Sequence, residues 1–137
     1  DEHEEFIIGG SKMLRRSDRD VATVIAAGVT LHEALKAHEE LKKEGINIRV
    51  IDLYSIKPLD EATLRKAASD TECLITVEDH FAEGGMGEAV RSALSTVTVP
   101  IHSLAVRKKP KSGTPAELLD YEEISQSAIV RKVRELL

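Results

Sequence analysis

The chain has little of what disulfide frameworks, base-stacking surfaces and membrane spans require. It has one cysteine, Cys73, and only two tyrosines and two phenylalanines among 137 residues. A single cysteine excludes an internal disulfide framework, and so few aromatic side chains disfavour a surface that stacks on bases. No apolar run approaches the ~18 residues of a membrane-spanning helix. We therefore expect no nucleic-acid partner, no membrane partner and a cytoplasmic location.

The chain also lacks an excess of basic residues. It has 24 acidic and 19 basic residues, for a net charge of −5, whereas nucleic-acid binding requires a basic face. Four of the acidic residues lie among the first five residues of the sequence: Asp1, Glu2, Glu4 and Glu5. We expect an acidic tail and linker over residues 1–20, with a small hairpin around Gly9-Gly10, and one folded domain over residues 21–137.

Short aliphatic runs alternate with helical patterns through that domain. The runs predict strands over residues 21–26, 46–53, 73–77 and 101–106. Helical spacing predicts a helix after each strand and a further helix at the end of the chain. This alternation predicts a three-layer α/β/α domain with a mainly parallel sheet of about five strands. The last helix carries its apolar residues on one stripe, at Ile129, Val130, Val133, Leu136 and Leu137.

Capping residues predict where the helices begin and end. Thr30 and Glu33 have the spacing of a capping box, and Gly45 predicts the end of that helix. Asp60 is typical of an N-cap. Thr114-Pro115-Ala116-Glu117 combines a capping box with proline at the first helical position.

A glycine-rich turn lies among the candidate ligand-binding positions, beyond the carboxyl end of a predicted strand. Gly84, Gly85 and Gly87 surround a helix start, where backbone N–H groups bind phosphate in other proteins. Glu83 and Glu88 would repel a phosphate, and no third glycine completes a dinucleotide fingerprint. A structural turn, with positive φ and close packing of helix on strand, is the favoured interpretation.

Two charged segments complete the candidates. Glu78-Asp79-His80 is predicted to follow the third strand, without a neighbouring nucleophile, so hydrogen bonding to loop N–H groups and to a partner is favoured over acid–base chemistry. Arg107 and Lys108 begin a basic run that fits a phosphate, an acidic partner or simply a solvated loop. The sequence predicts no catalytic residue, no cofactor-binding residue and no metal ligand. The candidate anion or interface positions are Gly84, Gly85, Gly87, Glu78, Asp79, His80, Arg107 and Lys108.

One segment with a specific pattern is Thr76-Val77-Glu78-Asp79-His80, followed by Gly84-Gly85-Met86-Gly87-Glu88-Ala89-Val90. Residues 6–14, 24–35, 48–53, 56–60, 102–106 and 112–119 belong with it. Taken in order, these segments resemble the C-terminal domain of transketolases, most closely those of the animal type. Related domains occur in 2-oxoacid dehydrogenase β subunits and in deoxyxylulose-phosphate synthase, so the whole set is more specific than any one segment.

The resemblance implies a parent enzyme that uses thiamine diphosphate and Mg²⁺ to move a two-carbon ketol unit between sugar phosphates in the pentose phosphate pathway. The family's cofactor and catalytic residues lie in two preceding domains, and this chain has no Gly-Asp-Gly motif of the diphosphate-binding domain. The resemblance therefore implies no cofactor in this fragment. It implies a non-catalytic domain that packs beside the remaining transketolase domains and supports a homodimer.

Two alternatives stay open, and one local departure is visible. The alternatives are the matching domain of a 2-oxoacid dehydrogenase β subunit or of deoxyxylulose-phosphate synthase, and a stand-alone regulatory domain that binds an anion. The departure follows the Glu-Leu-Leu segment, where the family has an aromatic-Gly-hydrophobic turn and this chain has Asp120-Tyr121-Glu122-Glu123-Ile124. This departure affects where the short helix that begins after Thr114 is expected to end.

Overall fold

The computed structural model describes residues 10–81, 85–106 and 112–137, with residues 80 and 81 described by their backbone only. Its strands are β1 (Lys12–Arg15), β2 (Ala22–Ala26), β3 (Ile48–Asp52), β4 (Leu74–Phe81) and β5 (Ile101–Val106). Its helices are α1 (Val29–Lys43), α2 (Glu61–Asp70), α3 (Met86–Ala93), α4 (Pro115–Tyr121) and α5 (Gln126–Glu135). Among these helices, none is long and apolar enough to cross a membrane.

The five strands form one sheet in the order β1-β3-β2-β4-β5. β2, β3, β4 and β5 run parallel, and β1 pairs antiparallel with β3 at the edge. The prediction of a mainly parallel sheet in an α/β fold is confirmed. β1 falls inside the predicted linker, where Lys12 lies opposite Asp52. The residues before Gly10 lie outside the described part, so of the predicted hairpin only this strand is seen.

Apolar side chains pack on both faces of the sheet, which gives the three layers. Successive residues of a strand point to opposite faces, so Val24 contributes to one cluster and Ile25 to the other. The first cluster includes Leu41 of α1 and Val133 of α5. The second includes Leu64 of α2 and residues of α3. A strand covered on both faces reads as a continuous aliphatic run, which is why the runs predicted these strands.

Three of the predicted helix boundaries are confirmed. Gly45 follows α1 with a φ of 77°, the left-handed conformation that favours glycine. Asp60 caps α2, where its Oδ1 accepts a hydrogen bond from the Thr63 N–H at 3.2 Å. Thr114 caps α4, where its Oγ1 accepts from the Glu117 N–H at 3.2 Å, and Pro115 is the first helical residue.

The capping box predicted at Thr30 and Glu33 is wrong. α1 begins at Val29 after Gly28, so Thr30 is already inside the helix. Its buried hydroxyl oxygen lies 2.8 Å from the carbonyl oxygen of Val77 and ties the start of α1 to β4. The carboxylate of Glu33 accepts a hydrogen bond of 3.0 Å from the backbone N–H of Gln126, the first residue of α5.

The departure after the Glu-Leu-Leu segment places a glutamate in a position that favours glycine. Glu123 has a φ of 60°. Its N–H donates to the carbonyl of Asp120, and the N–H of Ile124 donates to that of Leu119, each at 3.0 Å. This is the hydrogen-bond pattern of a Schellman motif. α4 therefore ends in the ordinary way, with a strained residue at the left-handed position.

Candidate functional site at the carboxyl edge of the sheet

A depression opens where the strand order reverses. β2 has β3 on one side and β4 on the other, and such a switch point is where parallel sheets usually bind ligands. The depression has a volume of about 410 Å³. Gly28 and Val29 line it after β2, Leu53 lines it after β3, and Met86 lines it from α3.

β4 passes through one edge of this depression and is longer than predicted. It continues through Glu78, Asp79 and His80, which were expected to follow it. Pairing with β5 extends the strand, because Phe81 lies opposite Val106 after a register shift beyond Val77. Glu78 is buried and Asp79 is exposed. The side chain of His80 lies outside the described part of the structure.

The carboxylate of Glu78 is bound to the N-terminus of α3. Its Oε1 accepts a hydrogen bond of 2.8 Å from the N–H of Met86, and its Oε2 accepts one of 2.7 Å from the N–H of Gly87. A helix N-terminus carries a partial positive charge and unsatisfied N–H groups, both of which a carboxylate stabilises. A free anion at this turn would have to displace Glu78 from these two N–H groups.

The glycines of the turn have different roles from those expected. Gly85 has a φ of −94° and a ψ of −166°, so the predicted positive φ is wrong there, because extended backbone suffices to enter α3. Gly87 lies inside α3, where an added Cβ would come within 2.6 Å of Ser103 Oγ and 3.0 Å of Glu78 Oε2. The predicted close packing of helix on strand is therefore confirmed at Gly87. Gly84 lies outside the described residues.

A buried polar cluster supports this contact from the sheet. Thr76 Oγ1 lies 3.0 Å from Ser103 Oγ, which joins β4 to β5 beneath Gly87. Among the described residues, no buried side-chain nitrogen or oxygen lacks a hydrogen-bond partner. Since its polar atoms are satisfied within the domain, the cluster serves packing and leaves no group aimed at a ligand.

The described residues offer little for catalysis or metal binding. They contain no group of three or more His, Cys, Asp or Glu side chains that could hold a metal ion. Cys73 is buried, and burial, followed by the charge of Glu72, raises the pKa of its thiol. A thiol is a nucleophile as the thiolate, so this shift disfavours such a role. Arg107 and Lys108 lie outside the described residues.

A second depression continues the first towards α4. It has a volume of about 250 Å³ and shares Val29 and Asp79 with the first. Its other side is formed by Leu118 and Glu122. We call the two depressions together the carboxyl-edge groove. The residues that define it below are Val29, Ile56, Asp79, Met86, Leu118 and Glu122.

The sequence interpretation missed the apolar residues of this groove. Val29 is 43 % exposed and Ile56 is 38 % exposed, although both are large aliphatic residues. Each lies just beyond a predicted strand end, which was a usable signal. Leu118 was not connected with them, because only the fold brings α4 beside the start of α1.

Comparisons with known proteins agree on one family. The family model described as "Transketolase, C-terminal domain" matches residues 11–129. Mouse transketolase-like protein 2 is 52 % identical over 134 residues, which cover 96 % of this chain and 21 % of that protein. Human transketolase is 50 % identical over 137 residues, which cover 98 % of this chain and 22 % of that protein. The chain thus spans about a fifth of the length of these relatives.

Solved structures agree with the sequence relatives. A split-gene transketolase, described as an inactive beta4 tetramer, matches with a TM-score of 0.88 and 32 % identity over 96 % of this chain and 43 % of that chain. Transketolase from Campylobacter jejuni shares the fold, with a TM-score of 0.68 and 17 % identity over 93 % of this chain and 18 % of that chain. From residue 11 to residue 129, the chain belongs to the transketolase C-terminal domain family.

Proposed function

We propose that this chain is the non-catalytic C-terminal domain of a transketolase and that it supports assembly of the parent enzyme, a homodimer. The observation that carries the proposal is that the N-terminus of α3, at the switch point of the sheet, is already occupied by a side chain of this domain. The α3 N–H groups that would receive an anionic ligand are bound by Glu78. The surface beside them exposes Val29 and Ile56, as a packing surface does.

The chemistry of the parent enzyme belongs, on this proposal, to its other domains. Thiamine diphosphate would supply the carbanion chemistry of ketol transfer, and Mg²⁺ would bind the diphosphate through an octahedral set of oxygen ligands. The described residues of this chain are not suited to bind thiamine diphosphate and Mg²⁺, since they hold no cluster of metal ligands and the α3 N-terminus already binds a carboxylate. We accordingly assign no step of the reaction to this domain. A cytoplasmic location, suggested by the single cysteine, goes with the proposal.

The comparisons support the assembly role indirectly. The split-gene relative contains a matching domain within a longer chain and is described as an inactive tetramer. Assembly without activity in that protein is consistent with a domain that contributes contacts rather than chemistry. The sequence relatives favour transketolase over the 2-oxoacid dehydrogenase alternative, since the relatives at about 50 % identity are transketolases and transketolase-like proteins.

Two measurements test the proposal. Thiamine diphosphate and Mg²⁺ are titrated into the 137-residue chain by calorimetry, and the chain is assayed with xylulose 5-phosphate and ribose 5-phosphate. We expect no micromolar binding and no turnover above a buffer blank. A chimera in which this chain replaces the matching region of human transketolase is expected to form an active dimer. Cofactor binding by the isolated chain, or an inactive and unassembled chimera, would contradict the proposal.

A further inference from the structure

We infer that the carboxyl-edge groove is a docking site for a segment from the remaining domains of the parent polypeptide, one that carries aliphatic side chains beside a lysine or arginine. The inference rests on the proposed function and gives the assembly surface a position and a partner chemistry. It is argued from the distribution of exposed apolar residues, from the charge of the rim and from the size of the groove.

The exposed apolar residues are concentrated at the groove. Three large hydrophobic side chains are exposed among the described residues: Val29, Ile56 and Leu137. Val29 and Ile56 both line the first depression, and Val29 also lines the second. Leu118 extends the apolar lining along α4. Apolar surface rimmed by polar residues marks an interaction site more often than scattered single residues do.

The charged groups that line the groove within the described part of the chain are acidic. Asp79 is exposed and lines both depressions, and Glu122 lines the second. Glu78 also reaches the first depression, but its carboxylate is bound by two backbone N–H groups. No lysine or arginine of the described residues lines either depression. A complementary partner therefore carries a basic side chain opposite Asp79.

The same charges disfavour a second copy of the chain as the occupant. A twofold contact places the same patch on both sides, so Asp79 would face the acidic patch of the second copy, and like charges across an interface are costly. The groove is also small. Nine of the described residues line one depression and seven line the other, with two shared, whereas each side of a stable interface contributes about 20–30 residues.

A contact of this size suits a segment of the same polypeptide. Docking within one chain avoids much of the entropy that two separate molecules lose on association. The relatives provide such a partner, since this chain matches only 21–22 % of their length. An aliphatic side chain would enter the depression between Val29 and Ile56, and a neighbouring basic side chain would meet Asp79.

The experiment uses the chimera with human transketolase and the isolated chain in parallel. The variant Val29→Ser with Ile56→Ser removes the apolar rim, and Leu137→Ser is the matched control at an exposed apolar residue outside the groove. Scanning calorimetry follows the transition of this domain. We expect the groove variant to lower that transition by about 5 °C or more in the chimera and by about 2 °C or less in the isolated chain. The control is expected to leave both unchanged.

A charge pair of variants tests the partner chemistry. Asp79→Lys is expected to lower the domain transition of the chimera further than Asp79→Asn does, because a lysine would face the basic side chain of the partner. Equal shifts for the groove variant and Leu137→Ser would overturn the docking site while leaving an active chimera and the proposed function intact. Sedimentation of the isolated chain as a dimer that the groove variant dissociates would identify a second copy instead. A domain that melts in the chimera as it does alone would overturn both proposals.

Discussion

Replacing Gly87 by alanine tests how closely α3 packs on the sheet. The added Cβ would lie 2.6 Å from Ser103 Oγ, 3.0 Å from Glu78 Oε2 and 3.1 Å from Thr76 Oγ1. A methyl group needs about 3.5 Å or more from such atoms. Glu78 cannot move away freely, because its Oε2 accepts the hydrogen bond from the N–H of Gly87 itself. α3 or the Ser103 side chain must therefore shift.

Two opposing terms set the size of the effect. Alanine is favoured over glycine by roughly 0.5–1 kcal/mol in a helix interior, which is an upper limit for Gly87 because it is the second residue of α3. Overpacking costs about 1–3 kcal/mol. We expect Gly87→Ala to lower the free energy of unfolding by about 1–2 kcal/mol and the melting temperature by roughly 3–7 °C. Without these three close contacts, the same substitution would stabilise the domain.

A double-mutant cycle with Ser103→Ala separates these terms. Ser103→Ala removes the hydroxyl nearest the new Cβ and loses its contact with Thr76 Oγ1, at a cost of about 0.5–1.5 kcal/mol. Chemical unfolding followed by circular dichroism measures the four stabilities. We expect the double variant to be more stable than the sum of the single effects by about 1 kcal/mol or more. A coupling energy near zero, or a stabilising Gly87→Ala alone, would refute the packing argument.

Three further predictions concern other parts of the domain. Glu123→Gly removes the strain of a left-handed backbone, whereas Glu123→Ala loses the same side chain but keeps that strain. The free energy of unfolding of the glycine variant should therefore be higher by about 1 kcal/mol, measured by chemical unfolding. Val133→Asp places a charge in the core between α5 and the sheet and should abolish the cooperative melting transition, whereas Lys132→Asp on the same helix should not. The hydrogen bond from Lys66 holds the pKa of Asp70 below its ordinary value of 3.8. The stability that this carboxylate contributes is therefore present above pH ~3.8 and is lost as the pH falls through the lower folded-state pKa. In the Asp70→Asn variant, the free energy of unfolding should therefore depend less steeply on pH in this acidic range. A variant with the same pH dependence as the parent chain would contradict the assignment of this stability to Asp70.

The central strands were predictable because each is buried on both faces and leaves a continuous aliphatic run. β5 was predicted at its observed bounds, Ile101–Val106. β1 was not separated from the linker, because a four-residue edge strand with Lys12 and Arg15 at its ends carries no such run. β4 was predicted too short, because Glu78 and Asp79 look like the start of a loop although pairing with β5 continues.

Helix caps were predictable where the partner is local and not where it is distant. Asp60 reaches Thr63 three residues later, so the sequence alone identifies the pair. Glu33 has the right spacing from Thr30 but binds Gln126, 93 residues away. No local pattern contains that information, because it depends on α1 and α5 lying side by side.

The same difference between local and distant partners applies to the candidate site. Glu78 reaches the N–H groups of Met86 and Gly87, eight and nine residues later, and the sequence analysis favoured hydrogen bonding of Glu78 to backbone N–H groups of the loop without identifying these two. The carboxyl-edge groove needs Leu118 of α4 beside Val29 of α1, which the sequence pattern does not specify. The contribution of Arg107 and Lys108 stays a prediction, since both lie outside the described residues.

The hydrogen bond between Glu33 and Gln126 has a consequence for folding on the ribosome. α5 packs beside α1 on one face of the sheet, where Ile129 and Val133 are fully buried, and its first N–H group depends on a carboxylate of α1. Until α5 has left the exit tunnel, the part of this apolar cluster that α5 covers is open to solvent and Glu33 lacks its long-range partner. The domain should therefore complete its core only after α5 emerges, and until then its nascent chain should be a substrate for chaperones that recognise aliphatic surface.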